Sequence, residues 1–306
     1  MPTKSSTDTK LLAAAKAGDS EALEKLLASQ QQRIWRFSVK MCRNSDEAGD
    51  VLQDTLLAAA RTVRGFRGAS SLSTWLYTIA RSYCVKRRRR SKFAPVVEES
   101  LDPAPNSAAN AVADDRATPE DAASAREVSG AVAEAVRRLE PKYREVLVLR
   151  DMEGLTAPEV AKVLGIRVEA VKSRLHRARA SLREVLAPAM GIGEPSRPTP
   201  TCPDVVTLFS KYLEDDIDAK LCARMQEHVA HCVHCQGACD SLQEILSVCR
   251  ATPTVQVPPD IQASVRGALS EFLARQRPAR GRAAGPPLER PLRLRRHSRS
   301  RASRGA

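Results

Sequence analysis

Apolar residues recur every three or four positions along most of this chain, and strand-like alternation is absent. Leu23, Leu26, Leu27, Ile34, Phe37 and Met41 stand at helical spacing behind Asp19, which is placed to cap a helix N-terminus. That period predicts an all-α protein. A chain of 306 residues suggests about two domains or three small ones. Aromatics make up only 4%, so the cores must rest on Leu, Val, Ile and Ala. No apolar run approaches the ~18 residues of a membrane span. The segment Met1 to Lys10 is polar and lacks the apolar centre of a signal peptide. A cytoplasmic protein is expected, without membrane contact. Its eight cysteines should be thiols or metal ligands, because a cytosol keeps disulfides rare.

Composition divides the chain. Residues 8–92 read as three or four helices ending in a basic block, Lys86 to Lys92, of charge +6. The segment 93–125 is rich in Pro, Ala, Ser and Asp; from Phe93 to Glu127 there are eight acids against two arginines, the signature of an acidic flexible linker. Short helices follow over 126–187, then a Pro-rich break from Pro188 to Pro203. A third helical unit covers 201–250. An amphipathic helix is expected over 258–275, with Ile261, Val265, Leu269 and Phe272 on one face. The rest, 276–306, is an Arg-rich tail that reads as disordered. Net charge is +13, but the residues from Arg275 onward carry +10 of it. The local clusters therefore say more than the total.

A helix-turn-helix is legible in the second unit. Thr156 and Glu159 form a capping box around Pro158, and Gly165 supplies the left-handed turn position. Val168, Val171, Leu175, Ala178 and Leu182 form the buried stripe of the second helix. Its other face carries Lys172, Ser173, Arg174, His176, Arg177, Arg179 and Arg183. Such a helix suits the major groove, where Arg and Lys pair with guanine edges and phosphates. The alternative is an ordinary helix pair with a solvated basic face.

The segment from Glu153-Gly154-Leu155-Thr156 through Leu164-Gly165-Ile166 to Val171-Lys172-Ser173-Arg174-Leu175-His176-Arg177 resembles region 4 of bacterial sigma factors of the extracytoplasmic-function class. The N-terminal half agrees independently. Asp46-Glu47-Ala48-Gly49-Asp50-Val51-Leu52-Gln53-Asp54 resembles region 2.2. Phe66-Arg67-Gly68, Thr74-Trp75-Leu76 and Ile79-Ala80-Arg81 resemble regions 2.3 and 2.4. The resemblance implies that Asp50, Gln53 and Asp54, which share one helix face, meet the β′ coiled coil of core RNA polymerase. It implies that the second unit meets the β flap and that Lys172, Ser173, Arg174, His176 and Arg177 read promoter DNA at the −35 element. At the −10 element it implies Arg67, Ser70, Ser71, Trp75, Arg81, Ser82, Arg87 and Arg88, since capturing an unstacked base needs a shaped pocket and a cationic cradle. Ser82 stands where the family has Asn, Lys86 where it has Asp, and Ala170 where it has Thr.

His228, Cys232 and Cys235 form H-x3-C-x2-C, with Cys202 lying 26 residues before His228. Three thiolates and one imidazole suit a closed tetrahedral zinc site. The stretch from Cys202 to Cys249 resembles the zinc-binding anti-sigma domain, which implies one zinc on Cys202, His228, Cys232 and Cys235. By spacing alone His231 and His234 are rival ligands. Cys42, Cys84, Cys222, Cys239 and Cys249 read as packing residues.

The expected function is a sigma factor that directs promoter recognition and transcription initiation. Its fused zinc unit would sense redox state or metal and touch the sigma units within the same chain. No catalysis is expected, since polymerase does the chemistry. The alternative is a helix-turn-helix regulator with a zinc or thiol sensor. Such a regulator has no use for the Asp50, Gln53 and Asp54 face. A zinc enzyme acting on nucleic acid would need acid and base groups beside the cysteines.

Overall fold

A computed structural model describes residues 6–93, 119–193, 198–251 and 255–276, and these form helices joined by short turns. The N-terminal bundle comprises α1 (Ser6–Ala17), α2 (Ser20–Met41), α3 (Ser45–Thr62) and α4 (Leu72–Phe93), with a 3-10 turn at Val63–Gly65. Asp19 caps α2 by accepting from the backbone of Glu21 and Ala22. Leu26, Leu27, Ile34, Trp35 and Phe37 on α2 are all at most 1% exposed. They pack against Leu52 and Leu56 of α3 and Leu76 and Tyr77 of α4.

The helix-turn-helix unit comprises α5 (Pro119–Arg138), α6 (Pro141–Leu147), a π-helical turn (Val148–Met152), α7 (Ala157–Leu164) and α8 (Val168–Ala189). Both arms of the Thr156–Glu159 capping box form. Gly165 closes α7 with φ +66°, a left-handed conformation that costs Gly no steric penalty. Helix α5 begins at Pro119, so residues 119–125 are helical where linker was expected; 94–118 lie outside the described residues. One continuous apolar core runs through the bundle and this unit.

The cysteine unit comprises α9 (Val205–Tyr212), α10 (Ala219–His231) and α11 (Val233–Ala251), followed by α12 (Pro259–Gln276). It has a separate and much smaller core of Val205, Met225, Cys235, Ala238 and Cys239. The far end of α11 joins the main core through Ile245 and Cys249. The described end of the chain, α12, lies on α3 and α2 of the bundle. Val265 and Leu269 are buried there as expected, with Leu273 as the third buried residue and Phe272 only half-buried. The expected tail from residue 277 lies outside the described residues.

Candidate nucleic-acid interface and metal centre

The expected polymerase face lies on α3, and two other parts of the chain hold it. Arg87 on α4 pairs with Asp50 at 2.7 Å and with Asp54 at 3.2 Å. Gln53 accepts from the Ser264 hydroxyl of α12 at 3.3 Å. Helix α12 therefore covers the Gln53 edge of the face, while Asp50 stays exposed.

The expected −10 residues are gathered along α4 and the loop before it. Ser70 and Ser71 belong to that loop, whereas Ser73 is already in the first turn of α4. Trp75 packs against Phe66 with ring centroids 5.0 Å apart, beside the main core. Arg67 and Ser82 are exposed, and Ser82 hydrogen-bonds the carbonyl of Ile79. The remaining residues meet acids. Arg81 and Arg88 pair with Glu145 of α6 at 3.0 and 3.5 Å. Ser71 and Thr74 donate to Glu159 of α7 at 3.3 and 3.4 Å. Burial pushes the Glu159 carboxyl up, but hydrogen bonds from Thr156, Ser71 and Thr74 outweigh it and hold the group below its ordinary value.

Between these contacts lies one that sequence reading missed. Glu153, at the end of the π-helical turn, has no exposed side-chain surface. It accepts from Arg36 at 2.9 Å, Lys40 at 2.8 Å and Tyr77 at 2.8 Å. Arg33, Arg36 and Lys40 recur at helical spacing on α2, and that basic stripe was the available signal.

On the expected −35 helix, Ser173 and Arg177 are exposed and Arg174 is half-buried. Arg177 donates to the Tyr143 hydroxyl at 3.4 Å. The neighbouring stripe is covered by the cysteine unit. Lys172 pairs with Asp216 at 2.8 Å. His176 is half-buried with Nε2 unpartnered, and burial, followed by the cations Arg179 and Lys211, holds it below its ordinary value. Arg179 is a correction to the solvated basic face: it is 1% exposed. It pairs with Asp151 at 2.7 Å and Glu214 at 2.6 Å, and donates to Ser210. Glu214 also takes Arg150 at 2.9 Å. Its segment turns at Asp215, whose φ of +50° is one that Asp tolerates.

The four expected metal ligands converge. The donor atoms of Cys202, His228, Cys232 and Cys235 lie within 4.8 Å of one another. Cys202 and Cys232 sulfurs are 3.6 Å apart; tetrahedral zinc with bonds near 2.3 Å separates its sulfurs by about 3.8 Å. His228 Nε2 is buried without a hydrogen-bond partner, as a ligand atom would be. Helix α10 ends at His231 and Cys232 caps it, so Cys235 arrives from α11 rather than from one continuous helix. The rivals His231 and His234 fall outside the cluster; His231 Nδ1 is instead 2.8 Å from the Glu227 carbonyl. Hydrogen bonds from Thr199 lead in holding the Cys202 thiol down at about 6, while burial pushes Cys235 up to about 12. Cys42, Cys84, Cys239 and Cys249 are buried, as packing residues should be, whereas Cys222 is half-exposed. Among the described residues no helix is long and apolar enough to cross a membrane.

Known proteins match the same three units. Residues 26–93 match the model for Sigma-70 region 2, residues 129–182 that for Sigma-70, region 4, and residues 202–236 a putative zinc-finger. The ECF RNA polymerase sigma factor SigM of Mycobacterium tuberculosis is 36% identical over 180 residues, which cover 59% of this chain and 85% of that one. The RNA polymerase sigma-H factor of Pseudomonas aeruginosa is 31% identical over 60% of this chain and 95% of its own. The ECF RNA polymerase sigma factor SigW of Bacillus subtilis is 30% identical over 56% and 92%.

Proposed function

Because this chain belongs to the ECF RNA polymerase sigma factors, we propose that it is a sigma factor held closed by its own C-terminal arm. As a sigma factor it directs core polymerase to promoters and catalyses nothing itself. The bundle α1–α4 takes polymerase through Asp50, Gln53 and Asp54 and takes the −10 element through α4 and its preceding loop. Helix α8 takes the −35 element. The observation that carries the closure is the bond from Ser264 on α12 to Gln53 on α3, together with Ile261 packed on Gly49. The same face cannot hold α12 and a polymerase helix at once. Asp216 acts alike on the second unit, by occupying Lys172.

Cys202, His228, Cys232 and Cys235 hold one zinc. The cysteine unit buries little apolar surface of its own, so the metal supplies much of its folding free energy. Loss of zinc loosens the unit that docks on α8, so the signal is an oxidant or a competing soft metal. The test is transcription in vitro with core polymerase, comparing the full chain with residues 1–190. Higher activity of the shorter chain supports closure; equal or lower activity refutes it.

A further inference from the structure

We propose that Arg36, Lys40 and Tyr77 form a phosphate-binding site for the single-stranded DNA of the −10 element, filled in the closed chain by the carboxylate of Glu153. The proposal rests on α4 carrying the −10 surface.

The donor set is that of an oxyanion site. Two cations and a phenol hydroxyl converge on the two oxygens of one carboxylate, each between 2.8 and 2.9 Å. Burial, reinforced by Glu153, lifts the Tyr77 phenol well above its ordinary value, so it stays a donor at neutral pH. The donors all belong to the N-terminal bundle, and the acceptor belongs to the helix-turn-helix unit. Here the two units touch. On a promoter they must read elements roughly 25 base pairs apart, which at 3.4 Å per step is about 85 Å. The helix-turn-helix unit therefore leaves the bundle, and Glu153 leaves with it. Arg36 and Lys40, now 33% and 20% exposed, then lose the carboxylate they share.

The neighbours choose the replacement. Glu159, Glu153 and Glu145 lie in that order along α4, against Ser71 and Thr74, then Tyr77, then Arg81 and Arg88. The pocket thus sits in the middle of the expected −10 contacts. Arg33, one turn from Arg36, donates to Ser73 and extends the row. A strand that follows this row meets Arg36, Lys40 and Tyr77 through its backbone, the contact type that fixes position without reading sequence.

The test uses the full chain assembled with core polymerase and a short single-stranded DNA probe. Arg36→Gln with Lys40→Gln, and separately Glu153→Gln, break the same ion pairs between the units. The double variant should bind the probe about 10-fold more weakly, with the log–log salt slope smaller by about one. Glu153→Gln should bind it as the parent does. Tyr77→Phe, which keeps the ring and removes one donor, should weaken binding several-fold. If the double variant and Glu153→Gln behave alike, the pocket only cradles Glu153 and the proposal falls. It falls equally if the double variant loses affinity for core polymerase while probe binding is unchanged, since the pocket then takes an acidic polymerase group. Arg81→Gln with Arg88→Gln serves as the control: if that pair leaves probe binding intact, the −10 reading of α4 fails and takes the proposal with it.

Discussion

Ile261 of α12 sits on Gly49 of α3 so closely that a Cβ built on Gly49 would lie 3.1 Å from Ile261 Cδ1. A side chain at position 49 would require the Ile261 side chain to give by a few tenths of an ångström, on the helix that carries the Ser264–Gln53 bond. Gly49 lies in the turn of α3 that presents Asp50. The C-terminal helix thus docks within one turn of the face proposed to meet polymerase.

Val265→Asp should release α12 without unfolding the bundle. Val265 is 2% exposed, and burying such a side chain is worth about 1.5–3 kcal/mol. An unpaired carboxylate there adds a desolvation cost. Affinity of the full chain for core polymerase should rise by about 10-fold or more, measured by fluorescence anisotropy. Unchanged affinity would mean that α12 does not guard the face.

Asp50→Lys with Asp54→Lys should abolish polymerase binding. The folded state should survive, because the ion pairs to Arg87 are half-exposed and worth under about 1 kcal/mol each. Circular dichroism should show intact helix content. Intact polymerase binding would sink the assignment of this face.

Arg174→Ala and Arg177→Ala should weaken binding to the −35 element by about 1–3 kcal/mol, with relaxed specificity if the side chain reads a base edge. Arg177 is exposed and ready to do so. A gel-shift series on single-position promoter variants separates base reading from a phosphate contact, which weakens all sequences alike. If both variants bind as the parent does, α8 does not read the promoter there.

Arg179→Ala should be the most destabilising change on α8. It strands Asp151 and Glu214, 2% and 1% exposed at their side chains, without their shared cation. Breaking a buried pair this way costs about 3–5 kcal/mol. Thermal unfolding should show a drop far larger than that of Arg177→Ala. Similar melting of the two variants would contradict the burial of Arg179.

The reduced chain should hold one zinc, which Cys232→Ser or Cys235→Ser should remove. Zinc displaces ligand protons, so affinity should fall as pH is lowered and the thiolates reprotonate. Elemental analysis after gel filtration over a pH series checks both points. Reduced protein without metal at neutral pH would overturn the assignment.

Much of this molecule was decided locally and could be read locally. Asp19, the Thr156–Glu159 box and Gly165 fix where helices start and stop, because capping satisfies backbone groups within three or four residues of the cap. Residue type and spacing pointed to a zinc site but left His231 and His234 as rivals; the resemblance implied Cys202, His228, Cys232 and Cys235, and the fold brings those four together. Even the inward face of α12 was legible at Val265 and Leu269.

What tertiary structure decided was the partner of each charge. The period of α8 puts Arg179 beside Arg183 on a basic face, yet Asp151 and Glu214 draw it into the interior. Arg87 reads as a DNA contact but reaches Asp50 and Asp54 on another helix. Glu153 and Glu145 meet their cations where the second unit closes on α2 and α4. Periodicity states which residues leave water. A charge can leave water only where an opposite charge from elsewhere meets it, and that meeting is set by how the helices pack, not by the spacing within any one of them.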